Sequence, residues 1–169
     1  MRNSLFLLVF ALSCSWNAAG TTGCRRATPA RPLPEELRET SGVAWSRGRC
    51  DLLFTHNDGG HDPTVYVLDE RGAPQGQIPL EGAENHDWED MATGACPSGS
   101  CIYLADVGDN REVRDTVFLY RVKDPGSYDG SPSRAEVFPM VLPTGPRDME
   151  SMFILPGEGV YFISKGRSH

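Results

Sequence analysis

"DWEDMATG", at residues 87–94, decides the fold because related stretches occur twice more in the chain. They are "ETSGVAWS" at residues 39–46 and "DMESMFIL" at residues 148–155. A turn and a second apolar run follow each copy, in the stretches "DLLFTHND" (51–58), "CIYLADVG" (101–108) and "GVYFISKG" (159–166). A unit that recurs about every 50 to 60 residues indicates an array of similar structural units. The repeat therefore determines the architecture that we expect.

The units are predicted to consist of strands. The first two units continue with further apolar runs, "TVYVLD" (64–69) and "GQIPL" (76–80), then "TVFLYRV" (116–122) and "AEVFPMVL" (135–142). The runs are short, rich in Val, Ile, Phe and Tyr, and separated by glycine and proline, a pattern typical of strands rather than helices. We predict an all-β fold, specifically a β-propeller of four-stranded antiparallel blades. A β-sandwich, which also combines short strands with frequent turns, is the alternative.

The propeller prediction covers about two and a half N-terminal blades, with blade 1 at 39–82, blade 2 at 83–145 and an incomplete blade 3 at 146–169. Propellers close with roughly four to eight blades, so both ends of this array would be open. We therefore expect either a truncated version of a longer protein or self-association of the incomplete propeller.

The N-terminal region has the features of an export signal. Residues 1–20, "MRNSLFLLVFALSCSWNAAG", combine a positive charge, an apolar run that is too short to span a membrane, and small residues. Cys14 and Cys24 each follow a loosely lipobox-like sequence, so a lipid on either one would tether the protein to a membrane. Residues 21–38 are rich in proline and charge and are predicted to be a linker. We expect a periplasmic, extracellular or lipid-anchored protein; a buried N-terminal helix is the alternative.

The net charge of the chain argues against some classes of binding partner. The 169 residues carry a formal net charge of −7, which argues against general nucleic-acid binding and suits cations and neutral or cationic ligands. The sequence has no nucleophile elbow, no zinc-protease motif and no phosphate or dinucleotide loop. The ligand, a small molecule or a protein, stays unspecified.

Cys96 and Cys101 enclose the four residues "PSGS" between two predicted strands. A disulfide would close a hairpin there, and an exported chain permits one. The alternative is a metal site, but no second Cys or His pair has matching spacing.

The polar motifs are predicted to gather at one end of the blades. In an antiparallel meander, the connection from strand 2 to strand 3 and the connection into the next unit lie at the same end. The repeat alignment also places Ser41, Glu89 and Glu150 at one position, at the start of the innermost strand. Carboxylates that converge there need a cation or hydrogen-bond donors, so the alternatives are a cation site and carboxylates that accept backbone N–H groups.

Calcium is the candidate cation because these side chains offer hard oxygen ligands. The predicted ligands are Glu89, Glu150, Asp106, Asp109, Asn110 and Asp58. The structural alternative for "DVGDN" (106–110) is a loop capped by its own Asx turns. His56 is a candidate general base in a hydrolase, although a His-Asn-Asp turn is also a common structural feature. The remaining residues of the predicted ligand-binding face are Asn57, Asp90, Arg111 and Arg147.

The ordered motifs also carry a family resemblance. The motifs resemble those of bacterial secreted or lipoprotein-type proteins described as TolB-like or WD-type β-propellers; they are Ser41-Gly42, "THND" (55–58), "DWED" (87–90), "GDN" (108–110) and "RDMES" (147–151). The resemblance covers residues 39–165. Departures from the family pattern are Gly59 in place of serine, Phe54 in place of tryptophan, and a stop after the second strand of the third blade. The resemblance implies the fold and no settled activity.

Two functions follow as hypotheses. One is an extracytoplasmic, non-enzymatic binding propeller whose acidic face holds a divalent cation, with calcium as the candidate. The other, by analogy of fold alone, is a calcium-dependent hydrolase of phosphoesters or lactones.

Overall fold

The computed structural model describes residues 30–166 and, as backbone only, two short strands, β1 (Cys14–Trp16) and β2 (Thr22–Cys24). The described part of the chain contains strands and no helix, so the all-β prediction is confirmed. By its internal contacts the chain divides into two compact units, Met1–Pro32 and Leu33–His169.

In the first unit, β1 and β2 pair in antiparallel fashion with Cys14 opposite Cys24. The predicted signal peptide (1–20) and the predicted lipidation of Cys14 or Cys24 concern segments and side chains that lie outside the described residues, and they stay predictions. In the described part of the chain, no helix combines the length and the apolar composition that crossing a bilayer requires.

The described residues of the second unit form three sheets, whose main strands are antiparallel. The first sheet contains β3 (Thr40–Trp45), β4 (Leu52–Asn57), β5 (Thr64–Asp69) and β6 (Pro74–Glu81). The second contains β7 (Trp88–Cys96), β8 (Gly99–Asp106), β9 (Val117–Lys123) and β11 (Glu136–Met140). The two-residue strand β10 (Ser133–Arg134) lies between β9 and β11 in the sequence but belongs to the first sheet. The third is the pair β12 (Met149–Leu155) and β13 (Gly159–Ser164). Adjacent strands of each sheet follow one another along the chain, apart from β10, which adds to the first sheet in parallel beside β6.

Two apolar cores hold the sheets face to face. The first core lies between the first and second sheets and contains Phe54, Val67, Ile78, Trp88, Ile102 and Leu104. The second core lies between the second and third sheets and contains Tyr103, Ala105, Leu119, Met149 and Met152. β3 lies against β7, and β7 lies against β12. Within the described residues none of the sheets closes on itself, and face-to-face packing of this kind is common to sandwiches and propellers.

All three sheets have an irregularity at the start of their first strand. The pairing register shifts between Thr40 and Val43, between Trp88 and Asp90, and between Met149 and Ser151. Glu89 and Glu150 are therefore the extra residues of two β-bulges, and Ser41 lies within the third. Bulges bend a strand and redirect its side chains. The three repeat-aligned positions thus share one local structure.

Gly42 shows why the first irregularity needs a residue without a side chain. A Cβ at this position would lie 2.6 Å from the backbone N of Met91 and 2.7 Å from Nε2 of His56. Only glycine allows β3 to approach β7 this closely, because real Cβ atoms do not come within such distances of other heavy atoms.

The folded region begins earlier than the sequence indicated. The predicted linker, 21–38, reaches into the second unit, where Leu37 is buried and donates its backbone N–H to the carbonyl of Pro34 over 3.0 Å. The Asn57 side chain donates a hydrogen bond to the carbonyl of Glu36 over 2.8 Å. Apolar contact and hydrogen bonding therefore fix residues 34–37, although their proline and charge content is typical of a linker.

The Cys96–Cys101 disulfide is present, with 5.9 Å between the two Cα atoms, as predicted. It connects the end of β7 to the start of β8, at the far end of these strands from the bulge at Glu89. A disulfide is compatible with an oxidising, exported location.

Candidate functional site

Five carboxylates gather where the strands β7 and β12 begin, and we call them the acidic cluster: Asp58, Asp87, Glu89, Asp148 and Glu150. One oxygen from each of Asp58, Asp87 and Glu89 lies within 4.8 Å of the other two, and the same holds for Glu89, Asp148 and Glu150. Glu89 belongs to both groups and is the centre of the cluster.

The repeat explains why these side chains meet. In "DWE" and "DME" the two acids flank a buried apolar residue, Trp88 in one case and Met149 in the other. Side chains alternate between the two faces of a strand, and a bulge at each glutamate redirects its side chain. Both acids of a pair therefore point away from the core, while the residue between them is buried in it. Asp58 comes from the loop after β4 and extends the cluster to the first sheet.

Glycine also packs against the cluster. A Cβ on Gly108 would lie 2.5 Å from Cγ of Asp87 and closer still to Oε1 of Glu89. The backbone N–H of Gly108 donates to the carbonyl of Asp87 over 3.1 Å. The loop after β8 therefore forms one wall of the cluster, and a side chain at Gly108 would displace both carboxylates.

The crowding of negative charge changes the protonation of two members. The pKa of Glu89 is raised to about 7, first by burial and then by the charges of Asp58 and Glu150. The pKa of Asp87 is raised by burial and then by the charge of Asp58. Both effects act against the charged form of a carboxyl group, so the cluster holds its negative charges at a cost in free energy.

Lys165 partly balances this charge. Its Nζ lies 2.8 Å from Oε1 of Glu150 and 3.6 Å from Oδ2 of Asp148. The hydrogen bond to Glu150, more than any other contact, raises the pKa of Lys165. One lysine therefore meets the acids of the third sheet at its open, solvent-exposed side, and a bound cation would compete with it.

Two predicted metal ligands have other partners. Asp106 is fully buried, accepts the backbone N–H of Asp87 over 3.1 Å and pairs with Arg114 over 2.9 Å. Asp109 is buried and accepts the backbone N–H of Arg114 over 2.7 Å, while its own N–H donates to Asp148 over 2.9 Å. Both carboxylates hold the loop after β8 in shape, while Oδ2 of Asp106 is buried and accepts no hydrogen bond among the described residues. Metal binding by Asp106 and Asp109 stays a prediction. Asn110 is exposed and lies outside the two groups of the acidic cluster.

His56 does not fit the role of general base. It is fully buried, its Nδ1 donates to the carbonyl of Asn57 over 2.8 Å, and its Nε2 accepts the N–H of Gly42 over 3.3 Å. Its ring meets Trp88 edge-on, with 5.5 Å between the ring centres. Burial lowers its pKa, which keeps the imidazole neutral. Both ring nitrogens are occupied, so His56 fixes β3 against β4 instead of facing a substrate.

The other residues of the predicted ligand-binding face fall into two groups: some bond to the backbone, and others lie on loops. Asn57 is buried, and its side-chain oxygen accepts the N–H of Glu39 over 3.2 Å. Asp90 accepts backbone N–H groups with both oxygens. Arg147 donates to the carbonyl of Pro146 over 2.9 Å, and Arg111 is exposed. Asn57 and Asp90 are structural, and the two arginines lie on loops of the second unit.

Asp87 and Asp148 belong to the cluster although they were not among the predicted ligands. A signal for them was present, because an acid stands two residues before each bulge position: Glu39, Asp87 and Asp148. The repeat that identified Glu89 and Glu150 therefore contained their partners as well.

Comparison with protein-family models, with curated proteins and with solved structures finds no match to this chain. The family resemblance of the motifs thus stays a prediction.

Proposed function

We propose that the three sheets are consecutive blades of a β-propeller. Three features support this: the sheets follow one another along the chain, the first strands β3, β7 and β12 lie side by side, and each first strand carries its irregularity at the same position. A sandwich requires no such repetition, whereas a radial array of equivalent sheets does.

We propose further that the protein is an extracytoplasmic binding protein whose acidic cluster binds a divalent cation, with calcium as the best candidate. The observation that carries this proposal is the sharing of Glu89 between two groups of carboxylates whose oxygens lie within 4.8 Å of one another. Calcium takes about six to eight oxygen ligands in flexible geometry, and carboxylates on two strand bulges and a loop can supply several of them. A cation would also relieve the repulsion within the cluster.

The cation serves a binding role in this proposal. The hydrolase alternative has no supporting observation, because the residue assigned as its base, His56, is buried with both nitrogens in use. The disulfide between Cys96 and Cys101 supports an exported location, whether periplasmic, extracellular or lipid-anchored.

Calorimetric titration with calcium chloride tests cation binding. We expect saturable heat with the wild-type chain and an affinity about tenfold lower or worse for Glu89→Gln, because a charged ligand is lost without loss of volume. Glu70→Gln, which removes an exposed carboxylate in the turn after β5, is the matched control and should bind as the wild type does.

A second variant tests the place of binding. Lys165→Gln should bind calcium more tightly than the wild type, because the lysine that pairs with Glu150 no longer competes. If all four proteins give the same heat, calcium binds elsewhere. If none gives heat at about millimolar calcium, the acidic cluster is not a calcium site.

A further inference from the structure

One face of the third sheet is apolar and open to solvent. Its large side chains, exposed by 39% to 54%, are Phe153, Leu155, Tyr161 and Ile163, and we call them the third-sheet surface. Phe153 and Tyr161 stack on each other with 5.1 Å between ring centres. The opposite face of the same strands packs into the second core through Met152, Ile154, Val160 and Phe162. A contiguous apolar patch of this kind marks an interaction site more often than a free surface.

The equivalent face of the second sheet shows which kind of surface the third-sheet surface could bind. The pairing of Phe153 with Tyr161 on β12 and β13 corresponds in register to the pairing of Ala92 with Tyr103 on β7 and β8. Ala92 and Tyr103 contribute to the second core, on the face of the second sheet that packs against β12 and β13. The third-sheet surface therefore includes the positions that, in the second sheet, pack against the following sheet.

The complementary surface lies at the other end of the array. Val43 and Trp45 on β3 are 57% and 38% exposed, and we call them the first-strand surface. The repeat aligns Val43 with Met91, which packs into the first core, and Trp45 with Thr93, whose hydroxyl donates to the carbonyl of Trp45 over 2.8 Å. Met91 and Thr93 are the residues through which the second sheet contacts the first. The first-strand surface therefore has the positions by which a sheet docks onto its predecessor.

We propose that the third-sheet surface of one copy binds the first-strand surface of a second copy, in the manner in which the third sheet packs on the second within the chain. Such a contact is heterologous, because different surfaces meet, and it can repeat until a ring closes. Two copies of the region from residue 33 to 166 supply six sheets, within the roughly four to eight that closed propellers contain. The contact rests on the proposed stacking of sheets and is independent of cation binding, so association and calcium titration can fail separately.

Light scattering after size-exclusion chromatography tests the association. Between about 1 μM and 1 mM the mass should rise from one chain to a discrete oligomer. Val43→Asp and Ile163→Asp should each weaken association by about tenfold or more, because each would bury an unpaired charge in the contact. Val141→Asp changes the 74%-exposed valine after β11, outside both surfaces, and should leave the mass unchanged.

Mixing the two variants distinguishes the mode of pairing. Val43→Asp keeps an intact third-sheet surface, and Ile163→Asp keeps an intact first-strand surface. These two surfaces can bind each other in the mixture, so heterodimers should form at concentrations at which each variant alone stays monomeric. Pairing of two third-sheet surfaces would instead leave Val43→Asp fully associated and would overturn the proposal.

Hydrogen exchange of the wild-type chain provides a test without variants. Amides of β3 and β13 should become more protected as the concentration rises, while those of β11 should not. A chain that is monomeric over the whole range, with protection independent of concentration, would overturn the proposal.

Discussion

The Asp90 carboxylate on β7 accepts a hydrogen bond from the backbone N–H of Met152 on β12, with 2.8 Å between Oδ2 and N. Its other oxygen accepts the N–H of Met91 over 2.8 Å. One side chain thus stabilises the backbone of its own strand next to the bulge at Glu89 and connects two separate sheets.

Replacing Asp90 by alanine should loosen the third sheet. Met152 is buried, and its N–H would lose its acceptor, which typically costs about 1–3 kcal/mol. Chemical denaturation monitored by tryptophan fluorescence measures the loss. Asp62→Ala, at an exposed position in the loop between β4 and β5, is the control and should change stability little. Equal stability of Asp90→Ala and the wild type would mean that the bond contributes nothing.

Glu89 should make stability depend on pH. Its pKa is about 7 in the folded chain against an ordinary value of 4.5, so the folded state binds the proton more tightly than the unfolded state. Protonation therefore favours folding. Relative to Glu89→Gln, the wild type should lose stability as the pH rises from 4.5 through about 7, and the loss should level off at pH values well above the folded-state pKa.

Melting temperatures of both proteins, recorded with a chelator to exclude cations, give this difference. His56 titrates in both proteins and cancels in the comparison. Parallel curves would show that the environment of Glu89 does not favour its protonated form.

Gly108→Ala should damage the acidic cluster directly. The new Cβ would come within 2.5 Å of the Asp87 carboxyl carbon, so the carboxylates or the loop must move, at a cost of about 1–3 kcal/mol. Gly48→Ala is the matched control, because a Cβ there would lie 3.8 Å from its nearest neighbour. Thermal melts compare the two variants, and a Gly108→Ala protein as stable as Gly48→Ala would contradict the close approach.

Removal of the disulfide should lower stability without affecting the acidic cluster. The Cys96–Cys101 link closes a very short loop, for which chain entropy predicts a contribution of about 2 kcal/mol. The double variant Cys96→Ala/Cys101→Ala should lose this amount in denaturation experiments yet retain any calcium heat, since the link lies at the other end of β7 and β8. A reducing agent should destabilise the wild type and leave the double variant unchanged.

The strands could be predicted because each unit repeats the same apolar runs and turns. β5, for example, coincides with the predicted run at 64–69. β10 could not be predicted, since two residues of a loop pair with β6 only through the tertiary structure. Leu37 is a similar case, because its burial depends on the sheet beneath it and not on its proline-rich surroundings.

The site was partly predictable for a related reason. Glu89 and Glu150 emerged from the repeat, because a position that recurs in sequence recurs in space. The hydrogen bonds of Asp106 and Asp109 could not be predicted, because a loop carboxylate that binds metal and one that accepts hydrogen bonds look alike in sequence. Arg114 contacts both aspartates only in the folded chain, so these partners are not visible in the sequence.

The segment between β9 and β11 contacts the first sheet, and this affects how the protein unfolds locally. Tyr128 meets Phe54 edge-on at 5.8 Å and accepts the N–H of Gln77 through its carbonyl, and β10 then pairs with β6 before the chain returns to the second sheet. The first sheet therefore cannot separate without also releasing a segment of the second. We expect both sheets to exchange their amides in one cooperative event with a single opening free energy, while β12 and β13 open earlier as an independent foldon.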